Sequence, residues 1–192
     1  MADRHFIISR IYVWLTRWNR CRGFGIQSPN DYAFVRDVVN EHRGYYGYED
    51  LKRKYPGLDA ISRKKGKLLL RLANFLQPKV MVDAVGDDGG VDDYIHAGCA
   101  RCKIRKNATD GEWLEADLLR FRLDDGQWMA HVERLRQGAA VIVEPASGYS
   151  IKLGEWKCLV DRLPFGICYD LYYCGIIIFD KNRYKQNYII NF

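Results

Sequence analysis

Hydrophobic residues recur at helical spacing in the first part of the chain. Three segments show this pattern, at about residues 4–20, 29–42 and 66–77. Apolar residues at positions i, i+3 and i+4 form one face of an α-helix, so the pattern predicts three amphipathic helices. The Ser-Pro-Asn-Asp sequence at 28–31 is typical of a helix start, and Gln77-Pro78 ends the third helix.

Beyond residue 78 the pattern changes to short apolar runs separated by helical segments. Such runs are typical of buried strands. Strands that alternate with helices favour a parallel sheet covered by helices, so we predict an α/β fold. We expect a mostly parallel sheet with an antiparallel C-terminal closure. The predicted strands occupy 80–85, 102–105, 117–121 and 139–144, followed by 167–173, 175–180 and 184–192.

The length of 192 residues predicts a single domain over 1–192. Within it we distinguish a helical extension, residues 1–78, from a core, residues 79–192. The polar stretch 49–65 contains a Pro-Gly turn and is predicted to be a mobile loop.

The first predicted helix places apolar side chains between arginines. We expect Ile11, Trp14 and Trp18 to be buried against the domain or against a second copy, which would give a homodimer through this helix. Binding to a membrane surface is a third interpretation. The apolar segment is too short to span a bilayer and no cleavage site follows it, so we predict neither a membrane span nor a signal peptide.

Positive charge is concentrated in the N-terminal part. Residues 1–79 carry 16 Lys and Arg against 7 Asp and Glu, the remaining residues carry 14 against 17, and the net charge is +6. This asymmetry favours contact with a polyanion such as RNA, and a solvated basic face is the alternative. The six cysteines are scattered, and we expect reduced thiols in a cytoplasmic protein.

Three stretches together resemble one family of bacterial proteins in the class I S-adenosylmethionine-dependent methyltransferase superfamily. Residues 23–29, Gly-Phe-Gly-Ile-Gln-Ser-Pro, resemble the family's G-x-G-x-H-S-P-F motif and precede a tyrosine-rich turn at 45–48. The stretches 68–90 and 170–192 resemble its first core strand and its closing hairpin. The resemblance implies a Rossmann-like methyltransferase-type sheet, with a reduced number of strands here, and S-adenosylmethionine as the cofactor.

The resemblance also implies a cofactor site at the turn after the first strand. The family has an E-x-G-x-x-x-G pattern there; Gly86 and Gly90 keep the glycine spacing, while Asp83 lies one residue before the position of the acid. Such glycines let the backbone approach a cofactor closely. Asp87 and Asp88 add negative charge to a turn that must bind a carboxylate, which is unfavourable. Helix capping by these acids is the alternative, and a divalent cation on Asp83, Asp87 and Asp88 is a third interpretation.

Other positions of the family's site are also altered. The second strand should end in an acid that binds the ribose; Asn107 stands there and can hydrogen-bond a hydroxyl. Too few residues separate Asn107 from the next strand for a helix–strand–helix segment, so the part that forms the adenine pocket is predicted to be deleted. Glu144 is the acid that remains after the clearest strand, and it is the candidate catalytic residue. We predict no metal site, because the His96, Cys99 and Cys102 spacing lacks a fourth ligand.

Two classes of function follow. The first is an active methyltransferase of unknown acceptor, with the cofactor at Gly86 and Gly90 and with Glu144 near the acceptor. The second, which we favour, is a non-catalytic descendant that acts as a binding or interaction module. Binding of RNA or another polyanion is a special case of the second. Because three cofactor contacts are altered, we expect S-adenosylmethionine to bind weakly or not at all.

Overall fold

The computed structural model describes residues 4–23, 25–86, 89–126, 129 and 132–192. Its α-helices are α1 (Arg4–Thr16), α2 (Pro29–Phe34), α3 (Tyr46–Lys54), α4 (Ala60–Leu76), α5 (Val91–Gly98), α6 (Asp110–Glu115) and α7 (Leu153–Arg162). The 3-10 helices are Trp18–Gly23 and Val132–Arg134, and Val35–Val39 is a π-helical segment that continues α2. The strands are β1 (Val80–Asp83), β2 (Lys103–Arg105), β3 (Leu118–Arg122), β4 (Ala140–Glu144), β5 (Ile167–Asp170), β6 (Gly175–Ile178) and β7 (Gln186–Ile189).

All seven of these strands form one sheet in the order β2-β1-β3-β4-β6-β5-β7. Among them only β6 runs antiparallel to its neighbours, β4 and β5. The last strand, β7, pairs parallel with β5. The α/β fold of the Rossmann-like methyltransferase type, mostly parallel and with a reversed strand near the C-terminus, is therefore confirmed.

The connection between β2 and β3 is as short as the sequence predicts. Residues 106–117 contain helix α6 and no strand, so β2 forms one edge of the sheet. A capping box begins α6, because Thr109 and Glu112 exchange hydrogen bonds between side chain and backbone. The strand that would lie beyond β2 is absent from this described segment, and β7 adds a strand at the opposite edge.

Both faces of the sheet are covered, which explains the nearly continuous apolar runs of its strands. One face carries Met81, Leu118 and Ile142 and packs against α4, α5 and the π-helical segment. The other face carries Val82, Leu119 and Val141 with the aromatic side chains of α6 and α7, Trp113 and Trp156. Successive residues of each strand alternate between these two clusters, as the strand geometry requires.

In the N-terminal part, burial of the first helix against its own domain is not found, which leaves contact with a second copy as the untested alternative, and the predicted mobile loop is wrong. The apolar residues of the first helix are not buried against the domain: Ile11 is 55% exposed, Trp14 60% and Trp18 67%. The polar stretch 49–65 is not a loop either, because α3 extends to Lys54 and α4 begins at Ala60. The Asp59 side chain caps α4 by accepting from the backbone N–H groups of residues 61 and 62, which moves the helix start to six residues before the predicted one.

Helix α1 is attached to the sheet by its C-terminal end. The guanidinium of Arg17 forms an ion pair with Asp170 at the end of β5, with 2.8 Å between Nη2 and Oδ2. The side chain of Asp170 is 2% exposed, so this pair is shielded from water. Within the described part of the chain, no helix is long and apolar enough to cross a membrane.

Candidate functional site

Three charged side chains meet at the carboxyl edge of the sheet. Asp83 ends β1, Arg120 lies near the end of β3, and Glu144 ends β4. The carboxyl ends of parallel strands form the edge where ligands bind in open α/β sheets. All three residues are nevertheless buried, with exposures of 1%, 1% and 5%.

The guanidinium of Arg120 joins the two acids. Its Nη1 donates to both carboxylate oxygens of Asp83, each at 3.2 Å, and to the carbonyl oxygen of Gly86 at 3.3 Å. Its Nε donates to Oε1 of Glu144 at 3.1 Å. The candidate catalytic acid and the candidate cofactor-binding acid thus both pair with one buried arginine.

Helix α4 contributes a second cation from above the sheet edge. The Nζ of Lys65 donates to Oε2 of Glu144 at 2.6 Å. Burial lowers the pKa of Lys65, but attraction to Glu144 and the hydrogen bond to it outweigh that effect, and the pKa is raised overall. Lys65, Glu144, Arg120 and Asp83 form a chain of alternating charge, which we call the edge network; its formal charges cancel.

The cavity that the described residues form beside the edge network is small. A cavity of about 20 Å³ lies between α4, the turn after β1 and the ends of β3 and β4. That volume holds about one water molecule, at roughly 10–15 Å³ each. Sites for small organic ligands are typically about 300–1,000 Å³. Gly66 of α4 permits this close approach, since a Cβ there would lie 2.5 Å from the ring of Tyr94 on α5.

The glycine turn after β1 receives side chains from the helical extension. Gly86, Gly89 and Gly90 all have positive φ angles, of 90°, 96° and 85°. A Cβ on Gly90 would overlap the ring of Tyr55, and one on Gly89 would overlap the side chain of Leu58. The connection between α3 and α4 therefore packs where a cofactor would approach the backbone. Gly86 has open space around it; Asp87 and Asp88 lie outside the described residues.

Acidic residues at the start of α5 form ion pairs with a lysine of α3 and with the lysine that follows β2. Asp93 accepts a hydrogen bond from the Tyr55 hydroxyl and forms an ion pair with Lys54, and these interactions hold the pKa of Asp93 below its usual range despite partial burial. Asp92 pairs with Lys106 at 2.9 Å. Asn107, the predicted ribose contact, is exposed after β2 and does not line the 20 Å³ cavity.

The cysteine and histidine residues considered as metal ligands have other contacts. His96 Nε2 lies 3.0 Å from the carbonyl oxygen of Cys102, and the Cys99 thiol donates to the carbonyl oxygen of Pro78 at 3.5 Å. Burial raises the pKa of the Cys102 thiol to about 11, which disfavours the thiolate that a metal requires. No group of three potential ligands occurs among the described residues.

Neither a protein-family model nor a curated protein sequence matches the chain. Among solved structures, the chain is similar to a methyltransferase from Geobacter sulfurreducens. The two share 16% sequence identity with a TM-score of 0.42, over 88% of this chain and 95% of that chain. A similarity of this size says nothing about activity, and the fold assignment rests on the strand order itself.

Proposed function

We propose that this chain is a non-catalytic descendant of a methyltransferase, retained as a binding or interaction module. The observation that carries the proposal is the edge network, which occupies the carboxyl end of the sheet where the cofactor of such a fold would bind. The network neutralises its own charges and leaves a cavity of about 20 Å³. A protein with this arrangement has a stabilised core in place of a cofactor pocket.

The same network opposes the alternative of an active methyltransferase. A general base must come within hydrogen-bond reach of the proton that it removes, but Glu144 is only 5% exposed and both of its carboxylate oxygens accept hydrogen bonds from cations. Admitting S-adenosylmethionine would require α4 to move away with Lys65, and Tyr55 and Leu58 to leave the glycine turn. Separating a buried ion pair is costly, because each charge would then lose its partner without regaining full hydration.

The second alternative, contact with RNA or another polyanion, draws on the basic residues of the extension. Lys52 and Arg53 are exposed on α3. Lys65, by contrast, points into the edge network, and Arg63 donates to the carbonyl oxygen of Leu58 at 3.0 Å. Fewer cations therefore face solvent than the sequence suggested, which favours a protein partner over a polyanion.

We expect S-adenosylmethionine at millimolar concentration to leave the melting temperature of the protein unchanged. A ligand at about 100 times its Kd stabilises the folded state by about 2.7 kcal/mol. For a domain of this size that corresponds to a rise of roughly 5–10 °C, so differential scanning fluorimetry separates the two outcomes. Saturable micromolar binding by calorimetry, abolished by Gly86→Val, would show a working cofactor site and refute the proposal.

The interaction surface that we assign to this module is the exposed face of α1. Ile11, Trp14 and Leu15 lie at i, i+3 and i+4 of α1, and Trp18 begins the 3-10 helix that follows; each is at least 55% exposed. Several large apolar side chains exposed close together are typical of an interface. We propose a second copy of the chain as its partner, since the same helix face on both copies suits a two-fold contact.

The double variant Ile11→Glu/Trp18→Glu tests this contact. We expect the parent protein to sediment as a dimer at micromolar concentration and the variant as a monomer, because the new charges would be buried in the interface. Tyr184→Glu is the matched control: Tyr184 is 92% exposed and far from α1 in sequence, so this variant should remain dimeric. A monomeric parent protein would show that α1 does not pair with itself.

A further inference from the structure

A second and much larger cavity lies on the other side of α4. It has a volume of about 700 Å³, within the typical range for small organic ligands. Its walls are Trp14 of α1, the connection between the π-helical segment and α3, the start of α3, and the final residues of the chain. One face of α4 forms the remaining wall, which is separate from the edge network.

The α4 wall of this cavity is positively charged. Lys64, Lys67 and Arg71 lie at positions i, i+3 and i+7, so their side chains share one face of the helix. We call these three residues the α4 cation face. All three line the cavity.

The cations of this face are held by rings and carbonyl groups. Lys64 Nζ lies 4.4 Å from the ring centre of Phe192, and Lys67 Nζ lies 4.7 Å from that of Tyr48. Arg71 donates to the backbone carbonyl oxygens of residues 38 and 39 and, at 3.1 Å, to the Tyr48 hydroxyl. Within the described part of the chain, none of the three forms an ion pair with a carboxylate.

The charge balance of the cavity is positive. Arg43 and the α4 cation face supply four cations, while Glu41 and Glu49 supply two carboxylates, so the lining side chains carry +2 with His42 neutral. Glu41 is itself engaged by Arg43, at 3.7 Å. Burial, and then repulsion by Arg10, lower the pKa of Lys64, which is the effect of a partly desolvated cation that lacks an anionic partner.

We propose that this cavity is a binding site for a small phosphate-bearing ligand. The ammonium groups of Lys64 and Lys67 are compact point charges, one turn apart, and suited to phosphate oxygens. Arg71 is fixed by three hydrogen bonds at the floor and supplies positive potential there. The cavity volume of about 700 Å³ exceeds what a phosphate group fills, so the organic part of such a ligand can be accommodated as well.

Inorganic pyrophosphate is the probe for this site, titrated by calorimetry at low salt. We expect saturable binding with one site per chain. Lys67→Met should weaken it about tenfold, which corresponds to about 1.4 kcal/mol, and Lys64→Met/Lys67→Met should weaken it further. Lys52→Met, a change of an exposed lysine on α3 outside the cavity, is the matched control and should bind as the parent protein does.

Three results would overturn the proposal: no saturable binding by the parent protein, equal weakening by Lys52→Met, or full binding by the double variant. Melting temperatures of the variants establish that each is folded. If the double variant does not fold, the comparison of Lys67→Met with the parent protein tests the proposal alone. Adenosine diphosphate tests whether the site takes a phosphate that is part of an organic ligand. If it does, adenosine diphosphate should bind more tightly than pyrophosphate and compete with it. S-adenosylmethionine binding is a separate measurement, so this proposal can fail without affecting the proposed loss of catalysis.

Discussion

Replacing Arg120 with methionine is expected to lower the free energy of unfolding by about 3–5 kcal/mol, because removing one partner of a buried ion pair leaves a buried charge uncompensated. Here the loss affects both acids of the edge network. Among the described residues, the Asp83 carboxylate would then keep the backbone N–H of Val85 as its donor, at 3.1 Å, and the Glu144 carboxylate would keep Lys65. Urea unfolding followed by tryptophan fluorescence measures the change.

Arg122→Met is the matched control on the same strand. Arg122 also pairs with an acid, Asp124, but the side chains are 49% and 55% exposed. Exposed pairs contribute about 0–1 kcal/mol, so the control should lose no more than that. Adding Asp83→Asn to Arg120→Met should recover part of the loss, since the amide removes one buried charge. Equal effects of Arg120→Met and Arg122→Met would show that the edge network is not buried as described.

The order of elements in the core was predictable because its signals are local. Apolar runs such as 139–144 have the composition of buried parallel strands, and the length of each connection limits what lies between them. The reversed strand β6 follows from the short turn after β5, since parallel neighbours need a long crossover. The parallel pairing of β7 with β5 depends on tertiary packing that no local pattern encodes.

The position of α1 could not be predicted in the same way. A helical pattern of Ile11, Trp14 and Trp18 shows which residues share a face, but it does not say what covers that face. In the single chain the helix is attached by Arg17 to Asp170, and its apolar face is left exposed. An ion pair between residues so distant in sequence leaves no periodic signal.

Half of the edge network was predictable and half was missed. Asp83 follows from the resemblance, which places a cofactor-binding acid next to the glycine turn, and Glu144 follows from its position at the end of the clearest predicted strand. Arg120 falls inside a predicted apolar strand, although a single arginine on a strand that lies between two strands ending in acids is itself a signal. Lys65 has no such signal, because the predicted helix start at Gly66 places it in the polar stretch before the helix.

Once the observed start of α4 is known, the sequence does indicate the role of Lys65. With the helix beginning at Ala60, Lys65 falls four residues after Ile61 and four before Leu69, both of which are buried. A lysine in the buried stripe of a helix needs an anionic partner. Lys64 and Lys67 then belong to a neighbouring face, so one helix presents separate cations to two cavities. This arrangement explains how α4 closes one site and lines another.

Gly98→Ala is expected to lower the free energy of unfolding by about 3 kcal/mol, the upper part of the usual cost of overpacking. Gly98 ends α5 where this helix crosses α4. A Cβ there would overlap the carbonyl oxygen of Leu70 and lie 2.9 Å from the backbone nitrogen of Asn74. Because these atoms belong to the backbone of α4, no side-chain rotation relieves the clash, and α4 must move away from α5.

Gly154→Ala on α7 is the control, because the same change there meets nothing within 4 Å. It should raise stability by about 0.5–1 kcal/mol, the usual gain when alanine replaces glycine in a helix. The two substitutions are chemically identical, and we expect them to change the free energy of unfolding, measured in urea, in opposite directions. A neutral Gly98→Ala would mean that α4 does not rest directly on α5. The closed cavity above the edge network, and with it the proposed loss of cofactor binding, would then lack its structural basis.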